Sequence, residues 1–282
     1  MNTPFHHYYA DDSSGYNIDH VKRKGHFSMT VNHFHNHYEL YYLCEGERLY
    51  FVQDRTYHVK AGNFVLVDRH VLHRTLDTGM PDHERMLINI EQEWIEASYP
   101  NHAAMLLKPF GQGIPVLSFP TAQLAHNQRL IDQISSEMLQ QEPGYAIRLQ
   151  HAVIELLISA ARWTQTEDHN PAELQSPAHA KITKIIRYLN DHFAEALNLP
   201  DLAARFSISP YYLSRTFKST TGFTYSEYLN LIRLKAAQRL LRETELNITE
   251  IALQTGFENF SHFGKSFKKM ALVSPRAYRD QQ

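Results

Sequence analysis

The sequence predicts a multidomain α and β protein: a β-barrel or sandwich followed by two helices, then an all-α domain. Three observations carry this reading. Short β-branched and aromatic runs fill residues 27–90, helical periodicity takes over from about residue 121, and the last hundred residues repeat a helix–turn–helix unit. The chain has 282 residues, 43% hydrophobic and 21% charged. That is enough for two buried cores and excludes a disordered chain.

Met29-Thr30-Val31, Leu40-Tyr41-Tyr42-Leu43, Leu49-Tyr50-Phe51-Val52 and Phe64-Val65-Leu66-Val67 are the strand candidates. Glu45-Gly46-Glu47, Gln53-Asp54-Arg55 and Lys60-Ala61-Gly62-Asn63 supply the turns between them. Leu124, Ile131, Ile134 and Met138 then mark one helix, ended near Pro143-Gly144. Ile147, His151, Ile154, Ile158 and Ala161 mark a second, which is also apolar at Leu149, Val153, Leu156 and Leu157. A helix apolar nearly all round is covered on two sides, one by its own domain and one by a second subunit. These elements divide the chain into a β domain (1–120), a helical dimerisation segment (121–165), a linker rich in proline and polar residues (166–177) and a helical domain (178–282).

In the helical domain, Leu202-Ala203-Ala204-Arg205-Phe206, Ser207-Ile208-Ser209-Pro210 and Leu213-Ser214-Arg215-Thr216-Phe217-Lys218 follow one another. Some fifty residues later come Ile251-Ala252-Leu253-Gln254-Thr255, Gly256-Phe257-Glu258-Asn259 and Phe263-Gly264-Lys265-Ser266-Phe267-Lys268. Each copy reads as helix, tight turn, and a second helix of the kind that enters a DNA major groove. At 100° per residue Leu213 and Phe217 point inward, leaving Tyr211, Ser214, Arg215 and Lys218 outside. In the second copy Phe263 and Phe267 point inward, with Ser261, Lys265 and Lys268 outside. Such side chains reach base edges and phosphates. Between the copies, residues 225–242 read as a strut long enough to set two recognition helices about one DNA turn apart.

Charge follows the same division. Residues 1–177 carry a formal −8 and residues 178–282 carry +6, so only the C-terminal part is suited to a polyanion. No apolar run approaches the ~18 residues of a membrane span. Residues 1–7 show no basic region followed by an apolar core, and there is a single cysteine, Cys44. A cytoplasmic protein without disulfides or membrane contact is expected.

The helical repeat resembles the DNA-binding domain of the AraC family of bacterial transcription regulators. The resemblance rests on residues 211–218, Gly222-Phe223-Thr224-Tyr225-Ser226-Glu227-Tyr228-Leu229, Ile248-Thr249-Glu250-Ile251-Ala252, Gly256-Phe257 and Ser274-Pro275-Arg276-Ala277-Tyr278-Arg279. One departure is Leu272, where the family usually carries glycine; leucine is strained in a left-handed cap.

His33, His35, His37 and Glu39 alternate, and on a regular strand they share one face. Together, His35-Asn36-His37, Glu39, Gly46, Gly62 and His73 resemble the cupin barrel that many family members carry N-terminally. Cupin metalloenzymes use a related set, but there the glutamate follows the second histidine after three or four residues, whereas Glu39 follows after one. The face is therefore read first as a metal-free pocket in which His35, His37, Glu39, Tyr41 and His73 bind a small effector, with Tyr50 and Arg48 lining the same cavity. A structural cluster and a metal site are the alternatives. Polar groups converging in a small barrel suit a hydroxylated ligand such as a sugar.

The resemblance thus implies a cytoplasmic, homodimeric activator that binds promoter DNA, contacts RNA polymerase and needs no cofactor. The rival reading is a cupin-type metal-dependent enzyme with a helical interaction tail. Against it stand the shortened His–Glu spacing and the absence of a nucleophile elbow, phosphate loop or zincin helix in the sequence.

Overall fold

The computed structural model describes residues 4–10, 15–27, 35–166 and 176–280. The chain divides into two compact units, 1–174 and 175–282.

The first unit opens with strands β1 (Phe5–Ala10) and β2 (Tyr16–Arg23), followed by β3 (Tyr38–Glu45), β4 (Glu47–Val52), β5 (Arg55–Lys60), β6 (Phe64–Val67), β7 (His73–Asp77) and β8 (His83–Ile90). Short helices α1 (Gln92–Ser98) and α2 (Ala103–Leu107) and strand β9 (Val116–Leu117) lead to α3 (Thr121–Gln140) and α4 (Tyr145–Trp163). Among the described residues the strands form two antiparallel sheets, ordered β1-β2-β8-β3-β6-β9 and β5-β4-β7. Side chains alternate across the larger sheet. Leu40, Tyr42, Met86, Ile88 and Ile90 pack with Ile131, Ile134, Leu149, Val153 and Leu156 of α3 and α4. Tyr41 and Leu43 point the other way, into a core shared with Tyr50, Val52, Val59, Val65 and Val67.

Three expectations need correction. Strands begin at Phe5 rather than near residue 27, because β1 and β2 intersperse histidine, asparagine, aspartate and lysine among their apolar residues and lack a compact apolar run. β3 begins only at Tyr38, so His35 and His37 lie on the approach to the strand rather than on a shared strand face with Glu39. Of the stripe expected on α4, Ile154 and Ala161 are buried along with Leu149, Val153, Leu156, Leu157 and Ala160, whereas Ile147 is 60% exposed and His151 is exposed. The strand expected at Met29-Thr30-Val31, His33 and most of the expected linker (167–175) lie outside the described residues.

The second unit is helical throughout its described elements: α5 (Pro177–His192), α6 (Leu199–Arg205), α7 (Pro210–Thr221), α8 (Tyr225–Glu243), α9 (Ile248–Gln254), α10 (Phe260–Ala271) and α11 (Pro275–Asp280). Its starts are written in the sequence. Ser176, Asn198, Ser209 and Asn259 each accept a hydrogen bond from a first-turn amide, and Thr224/Glu227 and Asn247/Glu250 form reciprocal capping boxes. The two inter-helix turns match bond for bond. Ser207 and Ile208 donate to Ala204 and Ala203, as Gly256 and Phe257 donate to Leu253 and Ala252. Gly256 (φ +84°) cannot be replaced cheaply, since a Cβ would sit 2.9 Å from both Arg233 Nε and the Phe193 carbonyl. No described helix is long and apolar enough to cross a membrane.

Candidate functional site

Burial inside the two helix–turn–helix units decides which faces remain for a ligand. Leu213 and Phe217 of α7 and Phe263 and Phe267 of α10 are buried. Phe217 stacks edge-on against Tyr228 of α8 at 5.5 Å, and Phe267 against Tyr278 of α11 at 5.5 Å. This locks the rotation of both helices. Tyr211, Ser214, Arg215 and Lys218 are consequently exposed along α7, where with Ser219 they surround one shallow concavity. Ser261, Lys265 and Lys268 are exposed along α10. Asn259 and Ser209 cap these helices, so the amide-rich, partially positive N-termini accompany the basic side chains. Helix α8 spans 19 residues between the copies, about 28 Å at 1.5 Å per residue.

In the β unit, the structure brings together His35, Glu39 and His73, with Tyr50 added. Glu39 is buried on the inner face of β3 and accepts from the Tyr50 hydroxyl at 2.6 Å. His35 Nε2 lies 3.2 Å and His73 Nε2 3.4 Å from Glu39 Oε2. Both imidazoles are oriented by backbone: His35 Nδ1 donates to the His37 carbonyl and His73 Nδ1 to the Val71 carbonyl, each at 2.9 Å. His37 stacks on His35 at 3.8 Å without reaching Glu39 through a described bond. Tyr41 lies one strand step from Glu39, buried, its ring edge-on to Tyr50 at 5.1 Å.

The electrostatics follow from this packing. Burial alone would raise the Glu39 pKa, but the neighbouring His73 charge and the histidine hydrogen bonds hold it well below the usual carboxylate range. Burial would lower that of His73, but Glu39 reverses this and holds it above the ordinary histidine value. Burial and then His35 push His37 down to about 4. Glu39 and His73 lie at ion-pair distance, 3.4 Å, and together can accept from or donate to a ligand hydroxyl. Nitrogen and oxygen atoms of His35, Glu39 and His73 lie within 4.8 Å of one another, as do a His20 nitrogen, the Cys44 Sγ and a Glu84 oxygen, so either set has the spacing of a divalent-cation site.

The sequence reading placed Tyr50 and Arg48 in this interior but missed Arg23, His83 and Arg85. The signal was the alternation His83-Glu84-Arg85-Met86-Leu87-Ile88, in which Met86 and Ile88 belong to the apolar sheet face and His83 and Arg85 to the opposite one.

A two-sheet effector-type domain joined in one chain to a domain with two matched helix–turn–helix units defines a ligand-responsive DNA-binding regulator. Comparison with known proteins makes the class specific. Residues 25–157 match the AraC-like ligand binding domain and residues 202–281 a helix-turn-helix domain. The chain belongs to the AraC family of transcription regulators, and it is a sequence-specific DNA-binding protein. It is 26% identical over 272 residues to the HTH-type transcriptional activator RhaS of Klebsiella pneumoniae, covering 89% of this chain and 88% of that one. It is 34% identical over 117 residues to the regulatory protein PocR of Salmonella typhimurium, covering 42% and 39%. Among solved structures, the C-terminal domain of AraT, a response regulator from Geobacillus stearothermophilus, is 35% identical, with a TM-score of 0.36 and coverage of 38% of this chain and 89% of that one.

Proposed function

We propose that this chain is a cytoplasmic, homodimeric transcription activator that responds to a hydroxylated small molecule of the sugar class and carries no enzymatic activity. The effector binds in the barrel at His35, His37, Glu39, Tyr41 and His73. DNA is contacted by Tyr211, Ser214, Arg215 and Lys218 of one recognition helix and by Ser261, Lys265 and Lys268 of the other, in adjacent major grooves. Residues 1–120 sense, 121–165 dimerise, 166–177 link and 178–282 bind DNA. The activator sign, and with it contact to RNA polymerase, is supported by the description of RhaS as an activator over almost its whole length.

The observation that carries the reading is the pairing of two basic, outward helix faces, each fixed by its own buried phenylalanine, in the half of the chain with net charge +6. The α4 surface supports the dimer: Ile147 is largely exposed and Ile158 half-buried on one stripe, beside the exposed His151. Full-length protein is used to select genomic DNA fragments, which are then footprinted. Two protected stretches per protomer about one helical turn apart, with affinity falling as salt rises, are expected. Selection without any sequence preference would remove the reading. Metal analysis of the same preparation tests the metal-free pocket, and stoichiometric, tightly held metal would replace it.

A further inference from the structure

The interior of the β unit holds guanidinium nitrogens that its own carboxylates do not hydrogen-bond. Arg48 on β4 is 0% exposed. Its Nη2 donates to the Phe27 carbonyl, while Nε and Nη1 have no hydrogen-bond partner. The Tyr41 hydroxyl, on a residue 1% exposed, also has none. Arg23 lies with its guanidinium 3.7 Å over the Phe27 ring and its Nε unpartnered, and the His83 ring sits 6.0 Å from the same phenylalanine.

The nearby acids are engaged elsewhere. Asp19 takes Arg85 at 2.7 Å. Asp77, opposite Arg48 in the strand register, accepts from His26 at 2.6 Å and from the Gly79 amide at 2.7 Å. Glu39 is held by Tyr50 and the histidines. Asp77 still acts on Arg48 through its charge, but a fully buried guanidinium with two idle nitrogens is destabilising unless an acceptor completes it. The surplus is felt by His83, whose pKa burial and then the fields of Arg48, Arg23 and Arg85 push down to about 4.

We propose that this cluster is the carboxylate-binding end of the effector pocket. Arg48 donates to the carboxylate from its free Nη1, the Tyr41 hydroxyl donates a second hydrogen bond, and Arg23 adds the second positive charge. The inference rests on the effector-pocket reading and narrows it. Arg48 and Tyr50 alternate on β4, as Tyr41 and Glu39 do on β3, so the anion end lies one strand step, about 7 Å, from the Glu39 group that suits hydroxyls. That span fits a short chain or ring with a carboxylate at one end and hydroxyls a few carbons away. The effector class is a hydroxy acid of sugar size rather than a neutral sugar. An open groove of about 530 Å³, lined by Lys22, Arg23, Lys24, His26 and Phe27, gives anions a basic approach to the same phenylalanine.

Thermal unfolding of the full-length protein, at constant ionic strength with sodium chloride as reference, tests this with acetate, phosphate, glucuronate and glucose. Acetate and glucuronate should raise the melting temperature, glucuronate at lower concentration, and glucose should not. Arg48→Met should weaken the glucuronate response about tenfold or more and, in chloride alone, melt no lower than wild type, because it removes a buried guanidinium with two unsatisfied nitrogens. Tyr41→Phe keeps the core shape and should weaken the response several-fold. A response retained in both variants, or Arg48→Met melting well below wild type in chloride, overturns the proposal. So does stabilisation by phosphate as strong as by the carboxylates, or by none of the probes. Stabilisation by glucose alone removes the carboxylate site and leaves the effector pocket standing. An effector response unaltered in His35→Ala/His37→Ala removes the pocket itself.

Discussion

Two residues two positions apart on α7 should fail in opposite ways when truncated. Leu213 is fully buried beneath the helix, and Arg215 is exposed on its far side. Leu213→Ala deletes buried methyl groups from a packed interior, a loss of about 2–5 kcal/mol including the residual cavity. For a unit of about a hundred residues, each kcal/mol moves the melting temperature by roughly 4–8 °C, so a fall of about 10–20 °C or more is expected. Arg215→Ala removes an exposed side chain with no described ion pair, and its effect on stability should stay within about 0.5 kcal/mol. Its effect on DNA should be larger. Loss of a bidentate base contact costs about 1–3 kcal/mol, which is roughly 5- to 150-fold in affinity.

Fluorescence anisotropy on a selected operator fragment at several salt concentrations, with thermal unfolding of the same samples, separates the two cases. A phosphate contact at Arg215 would weaken binding to every sequence and flatten the salt slope by about 0.9, whereas a base contact would relax specificity at one position. Lys265→Ala should repeat the pattern in the second copy. Wild-type affinity in both Arg215→Ala and Lys265→Ala would show that the outward faces of α7 and α10 do not meet DNA. An unchanged melting temperature for Leu213→Ala would refute the packing argument from which those faces were assigned.

Four further outcomes follow from the same geometry. His35→Ala with His37→Ala should abolish the effector's influence on operator binding and leave basal affinity nearly intact, read by anisotropy with and without glucuronate. Ile147→Glu, at an exposed position of α4, should dissociate the dimer in sedimentation without lowering the melting temperature; Ile154, 8% exposed, would confuse dimer with fold. His83 has a folded pKa of about 4 against 6.5 when unfolded, so its contribution is present above pH 6.5 and is lost as pH falls towards 4. The loss is about 3 kcal/mol at about 1.4 kcal/mol per pH unit, and His83→Gln should flatten that part of the stability–pH curve. Leu272 caps α10 at φ +63° and is 84% exposed, so Leu272→Gly relieves left-handed strain without losing packing. A gain of about 0.5–1 kcal/mol is expected after glycine's unfolded-state entropy is set against it, read as a higher melting temperature.

The helical half was legible because its signals are local. A cap such as Ser209-Pro210 and a buried pair such as Leu213/Phe217 act within two turns of chain, and the fifty-residue repeat doubles each one. Even the strained Leu272 cap was readable, since Gly222 occupies the matching position after α7. The β unit was legible only where strands are apolar on both faces, as in β3 and β6. β2 and β8 alternate polar and apolar residues, and their polar members are not solvent-facing: Asp19 and Arg85 pair across the two strands on the inner face.

That inversion is invisible to a net-charge count. Residues 1–177 sum to −8, which by itself argues against an anionic ligand. The sum is dominated by side chains that solvent or local partners neutralise, whereas recognition is set by the few charges the fold refuses to neutralise. Arg48 was placed in the cavity by strand register alone, but nothing in one dimension shows that Asp77, its partner in the register, turns its oxygens to His26 and Gly79 instead. The guanidinium with two idle nitrogens exists only once three strands and the Phe27 carbonyl are assembled around it. A ligand that binds there must therefore also change the stability of those strands. Any influence on DNA is limited to the difference in its affinity between the arrangements that the β unit and α4 can adopt.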